Sequence, residues 1–373
     1  MKKLISLLLL FSLTITANAI GYIGNLEPVK LYTIDTPYEY PIVPGTPEWL
    51  KLEDNIAMIN ACAIPESIAS HMTTDALLES FLNHPMRENL FAFDDYNTGF
   101  AVLQDYYKMG INELLSRDDL AETILNKYNE IEVFNGVLPV ALSKSEEEAV
   151  LNQKVKDSFS MMVMEILSAN MELNNSNPDH IALKNALFNK YEAKKSNADF
   201  YGPASECYYI ASLSNGDITP LANYDFYIET PNGTPVLMMY VEQDHTQSHK
   251  DYLHDYYDTE YRYAERIGNA TLYYNCHSYA WYNASTSNRY QMWDPTPFME
   301  DGSYINSPSA RVGAKIYYHF PNHDNGIHSG IVSSIPATVY VKSKWGDAGL
   351  YEHAYHHCPY YFTSGGSITY WYR

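Results

Sequence analysis

Residues 271–283 read TLYYNCHSYAWYN. A single cysteine, Cys276, follows two tyrosines and opens a run that reads as helical. Asn275 is a good N-cap residue, so Cys276 falls in the first turn of the helix. A thiol attacks as its thiolate, and the positive end of a helix lowers a thiol's pKa. Three roles stay open for Cys276 at this point: a nucleophile, half of a disulfide, or a buried thiol.

The sequence on either side sets the architecture. YDFYIETPNGTPVLMMYVE (224–242) places Asn232-Gly233 between two strand-like runs, a hairpin signal. SHKDYLHDYYDTEYRYAERIG (248–268) reads as a helix ending near Gly268. GAKIYYHF (313–320), IHSGIVSS (327–334), TVYVKSKWG (338–346) and SITYWYR (367–373) read as strands. A Cys-bearing helix packed on an antiparallel sheet is an α+β arrangement.

Upstream, the pattern is helical. HMTTDALLESFLNHP (71–85) has Thr73 or Thr74 as N-cap, Leu77, Leu78, Phe81 and Leu82 at helical spacing, and Pro85 as a stop. TGFAVLQDYYKMGINELLSR (98–117) reads as a second helix. SRDDLAETILNKY (116–128) reads as a third, with Ser116 and Asp119 spaced as a capping box. A longer helix over 144–173 has Ser145 and Glu148 in the same spacing. Its methionines Met161, Met162, Met164 and Met171 read as core filler. The expected organisation is a signal segment over 1–19, an extended lead-in over 20–45, a helical domain over 46–196 and an α+β domain over 197–373.

MKKLISLLLLFSLTITANA has a basic start, a short apolar run and small residues before Ala19, which describes a secretory signal. The expectation is a secreted or periplasmic protein with no membrane span. The formal net charge of −21 and the lack of a basic stripe speak against a nucleic-acid partner. Oligomeric state is not legible. Tyrosine, at 35 residues, concentrates after residue 200, where half-buried surfaces and clefts favour it.

A nucleophilic Cys276 needs a base, and His328 in HSGIV is the candidate. If a hairpin turns about 335–337, His328 lies opposite Lys342 to Lys344. Ser343 is then the group able to orient its second nitrogen, since lysine cannot accept a hydrogen bond. His277 points about 100° away from Cys276 on a helix and reads as structural.

YYNCHSYAWYN, HSGIV, SKWG, GLYEH and CPYY resemble an uncharacterised bacterial family of exported papain-like proteins, within the broader NlpC/P60 and CHAP group of cysteine peptidases and amidases. The resemblance covers about residues 225 to 362. MTTDALLESFLNHP and FAFDDYNTGF resemble the helical module often joined to such domains. Where the broader group has Gly-Asp before the histidine-bearing strand, this chain has Gly313-Ala314. The resemblance implies a papain-like fold, Cys276 as nucleophile and His328 as base, and no cofactor. The implied reaction is hydrolysis of an amide or peptide bond, in wall peptide or protein, through an acyl-enzyme. The Cys276 N–H with Tyr274 or Asn275 would hold the oxyanion. Tyr273, Tyr279 and Trp281 would either line the groove or pack the core.

Rival readings remain for the same residues. Among the four cysteines, a Cys207–Cys358 bridge would leave Cys276 free and Cys62 a lone thiol. His353, His356 and His357, or His245, His249 and His254, could suggest a metal, but neither set has the helical pair with glutamate of a zinc hydrolase. No GxSxG elbow supports a serine hydrolase. A binding module on a papain-like scaffold, without turnover, is the competing function class.

Overall fold

The computed structural model describes residues 32–139, 142–205, 209–210, 224–320, 323–362 and 366–373. The expected signal segment and Cys207 lie outside the described residues. The fold is mixed α+β: a helical region comes first, then antiparallel sheets.

The helices Asn55–Ala61, Thr74–Leu82, Tyr96–Tyr106, Ile111–Leu115, Leu120–Glu130, Lys144–Ala169 and Pro178–Lys195 dominate the first half. Thr73 caps Thr74–Leu82 through a bond from the Ala76 N–H, as its sequence predicts. Met161, Met162 and Met164 are buried in the core. Other boundaries differ from expectation. The run 98–117 is two helices, not one, because Lys108 and Gly110 both adopt positive φ and turn the chain. Asp119 does not close a capping box; its carboxylate takes the Thr74 hydroxyl at 2.6 Å instead. The capping box of the long helix is Ser143 with Glu146, two residues before the expected pair. No helix among the described residues is long and apolar enough to cross a membrane.

Strands β1 (Tyr224–Glu229) and β2 (Pro235–Tyr240) form the expected hairpin around Asn232-Gly233, with Gly233 at φ +91. The helix Gln247–Glu260 stops short of Gly268, and residues Glu265–Gly268 form β3 instead. The remaining strands are β4 (Tyr290–Gln291), β5 (Ile305–Ser307), β6 (Lys315–Phe320), β7 (His323–Ser334), β8 (Tyr340–Lys344), β9 (Leu350–Ala354) and β10 (Ser367–Tyr372). Strands β1, β2 and β4 make one sheet. The other has the order β3-β9-β8-β7-β6-β10-β5, and all its pairings are antiparallel.

This larger sheet has two covered faces. One face, carrying Ile316, Tyr318, His328, Val341, Trp345 and Tyr351, packs into an apolar core that continues through the helical region. Tyrosine hydroxyls fasten the two parts: Tyr107 donates to the Pro359 carbonyl at 3.0 Å and Tyr257 to the Glu88 carbonyl at 2.7 Å. A polar tip on a large apolar body suits such a seam. Against the other face lies the Cys-bearing helix, where Tyr274, Tyr279 and Leu350 cluster and Trp281 packs with Phe298.

One core carboxyl has a measurable consequence. Glu260 is buried, and neither carboxyl oxygen has a hydrogen-bond partner among the described residues. Burial, then repulsion from Glu88, pushes its pKa well above the usual carboxylate range. The folded state therefore keeps a proton that the unfolded chain loses once the pH passes the ordinary carboxylate value. Stability falls by about 1.4 kcal/mol per pH unit from there until the folded carboxyl ionises. Glu260→Gln removes that loss, so its advantage in urea midpoint over the natural chain should grow between pH 5 and pH 7.5. An equal difference at both pH values would contradict this account.

Candidate functional site

The local sequence builds the site in the expected way at its first step. The Asn275 side-chain oxygen accepts the Ser278 N–H at 3.0 Å, closing an N-cap. Cys276 stands in the first turn, and the helix continues as a π turn over Ser278–Tyr282, closed by the Asn283 N–H on the Ser278 carbonyl. Single π turns recur at functional sites because they re-aim side chains. Asn275 also pins the loop beyond: its oxygen accepts the Met292 N–H at 3.1 Å and its amide donates to the Met292 carbonyl at 2.7 Å. The second amide hydrogen goes to Asp94 Oδ2 at 2.9 Å. The Asn275 amide is thus fully engaged and is not a spare oxyanion donor.

Asp94 is the residue that the sequence reading left out. It comes from the helical region, 182 positions before Cys276, and its Oδ2 accepts the Cys276 thiol at 3.4 Å. The adjacent Asp95 caps helix Tyr96–Tyr106 through the Thr98 N–H, which fixes Asp94 just ahead of that helix. His277 completes the cluster, with Nε2 3.9 Å from Asp94 Oδ2 and Nδ1 2.7 Å from the Ser329 hydroxyl. That hydroxyl also accepts the Trp281 indole N–H at 2.8 Å. The Ser329 backbone N–H, on β7, draws the Cys276 pKa down.

Cys276 and His277 are buried and Asp94 keeps a partly exposed edge, and burial sets the charges of this cluster. Cys276 is fully buried, and burial followed by the Asp94 carboxylate pushes its thiol well above the ordinary range. Asp94 is itself raised to about 7, chiefly by burial; the bond from Cys276 and the charge of Lys344 pull the other way. His277 is lowered to about 4 by burial, so its ring is neutral at neutral pH. Lys344, also buried, is lowered to about 8 by burial and supported by Asp347, Asp244, Asp94 and Cys276. Its ammonium donates to the Thr271 carbonyl at 2.9 Å and to the Gly346 carbonyl.

The other expected site residues fall elsewhere. His328 is not at a strand start; it sits inside β7, paired with Tyr318. Successive side chains on a strand point to opposite faces. Ser329 faces the Cys276 helix, so the His328 ring lies on the other side, stacked 3.5 Å from the Tyr360 ring. Among the described residues neither of its buried nitrogens has a hydrogen-bond partner, so it makes no bond to Cys276. Ser343 does not orient His328: its hydroxyl meets His353 Nε2 at 2.7 Å and accepts the Trp345 indole at 3.1 Å. Tyr274, Tyr279 and Trp281 are buried and pack in the core. Tyr273 is half-buried, stacks under the Arg289 guanidinium at 3.6 Å, and lines a surface pocket with Tyr274, Thr271, Asp244 and Lys250.

Cys62, Cys276 and Cys358 are free, buried thiols. Cys358 directs its thiol at the Tyr355 carbonyl at 3.5 Å, and Cys207, the other half of the possible Cys207–Cys358 bridge, lies outside the described residues. Among the described residues, the histidines of the two expected clusters do not converge; the metal-ligand types that do are Asp94, Cys276 and His277, whose ligand atoms lie within 4.8 Å of one another. Only the FAFDDYNTGF motif, with two acidic residues just before a helix, could have signalled Asp94. The chain matches no family model, no curated protein and no solved structure.

Proposed function

We propose that the chain is a thiol hydrolase acting on an amide or peptide bond of wall peptide or protein, with Cys276 as its nucleophile. The observation that carries this reading is the 3.4 Å contact between a thiol at a capped helix start and a carboxyl tuned to about 7. A base is most effective when its pKa lies near the working pH. The ionised Asp94 takes the thiol proton, the thiolate attacks the carbonyl carbon, and the amine leaves with a proton. Water then cleaves the thioester. The N–H of Ser329 and the positive end of the helix support the thiolate. His277, neutral and tethered to Ser329, stands beside Asp94.

This reading keeps the nucleophile expected from papain-like proteins and gives the base role to Asp94 instead of His328. A helix bearing the cysteine on an antiparallel sheet agrees with a papain-like arrangement. Export is part of the same proposal and rests on the sequence of residues 1–19 alone; N-terminal sequencing of the protein from culture medium or periplasm tests it.

One observation favours the rival class, a binding module without turnover: Cys276, Asn275 and His277 are all buried. The two are separated by alkylation and by turnover. With iodoacetamide at neutral pH, peptide mapping should find Cys276 labelled ahead of the buried Cys62 and Cys358. Incubation with purified peptidoglycan or mixed peptides should release new amines, and Cys276→Ala should abolish the release. Silence in both assays would leave the binding module as the better account.

A further inference from the structure

We infer that Asp94, Cys276 and His277 form a binding site for one divalent cation of the zinc class. The ligand atoms are a sulfur, a carboxylate oxygen and an imidazole nitrogen, the set that zinc selects. Their spacing fits a common centre. Zinc–sulfur and zinc–oxygen bonds of about 2.3 and 2.0 Å in a tetrahedron put sulfur and oxygen about 3.5 Å apart; here Cys276 Sγ and Asp94 Oδ2 are 3.4 Å apart. His277 Nε2, 3.9 Å from that oxygen, needs only a small approach. A water molecule would complete four-fold coordination.

The surroundings orient each ligand. The Ser329 hydroxyl holds His277 Nδ1 at 2.7 Å, and with the proton on Nδ1 the ring presents its Nε2 lone pair toward Asp94. Asn275 donates to the Asp94 carboxylate at 2.9 Å. Charge arithmetic points to a divalent ion. A thiolate, a carboxylate and a neutral imidazole around M²⁺ leave no net charge, which a buried site requires. The thiol proton passes to solvent as the metal–sulfur bond forms. Lys344 opposes the cation, but its ammonium is held by the Thr271 and Gly346 carbonyls. Asp95 and Asp347, both close enough to act on Asp94, offset it.

This inference does not rest on turnover. A coordinated thiolate is withheld from attack, so metal loading and the hydrolysis proposed above exclude each other. The test is titration of the full chain with Co²⁺, read by the thiolate-to-cobalt charge-transfer band and tetrahedral d–d bands. One equivalent should saturate the signal, and Zn²⁺ should displace it. Cys276→Ser should abolish the charge-transfer band, and a Cys62→Ser, Cys358→Ser double variant should retain it. His277→Gln should weaken binding by about ten-fold or more. If Cys276→Ser fails to fold by circular dichroism, Asp94→Asn serves in its place, with at least a similar loss. Absence of the band, or its persistence in Cys276→Ser, overturns the inference whatever the hydrolysis assays show.

Discussion

Asp94→Asn is expected to move two readouts of one thiol in opposite directions. The carboxylate lies 3.4 Å from Cys276 Sγ, and its charge holds the thiol's pKa up. A unit charge at about 4 Å contributes about 4 kcal/mol at an effective dielectric near 20. Its removal should lower the thiol's pKa by more than one unit and speed alkylation of Cys276 several-fold at pH 7, part of the gain being offset by weaker nucleophilicity. Turnover should fall by about 10²–10⁴, because the proton acceptor is gone. In the natural chain, activity should rise as the pH passes about 7, where Asp94 ionises. A thiol with only a structural role predicts no pH-dependent rate to lose. If Asp94→Asn leaves turnover unchanged, Asp94 is not the base.

Gly346→Ala is expected to cost about 3 kcal/mol or more of stability, and with it the geometry of the cysteine site. Gly346 turns the chain between β8 and β9 at φ +40, a conformation that L side chains rarely adopt. A methyl group there would overlap the backbone of Phe91 and Ala92. That contact is the seat of Asp94. The Asp347 N–H donates to the Phe91 carbonyl at 2.9 Å, the Tyr96 hydroxyl donates to the Asp347 carboxylate at 2.8 Å, and the Tyr360 hydroxyl donates to the Ala92 carbonyl. Neither backbone can give way without breaking these bonds, so strain and steric overlap add. Urea denaturation should show a lower midpoint. Cys276 should be alkylated faster than in the natural chain in the native baseline, because the segment over it no longer seats. A variant with the natural midpoint and the natural alkylation rate would refute this docking account.

How far the sequence could be read depended on the range of the forces involved. Helix Thr74–Leu82, the hairpin around Asn232-Gly233 and the Asn275 cap were legible because each is written in a few adjacent residues. The split of 98–117 and the switch from helix to strand after Glu260 were harder. Periodicity over 98–117 favours one helix, and only the positive φ of Lys108 and Gly110 breaks it. Residues 265–268 are strand because β9 supplies their hydrogen-bond partners. His328 shows the limit for a site. Its place on a strand could be read, but a one-residue difference in facing decides between the Cys276 helix and Tyr360.

The sequence by itself determined that a helical region precedes antiparallel strands, and that Cys276 opens a capped helix among them. Both follow from local hydrogen bonding and from the apolar period of the chain. Only the tertiary structure decided what the thiol meets. Asp94 reaches it across 182 positions because Asp95 caps one helix, Gly346 leaves room for the Phe91–Ala92 backbone, and Asn275 holds the carboxylate. No local pattern encodes that meeting; it is set by packing two distant segments into one core, where burial then moves the carboxyl to about 7 and raises the thiol.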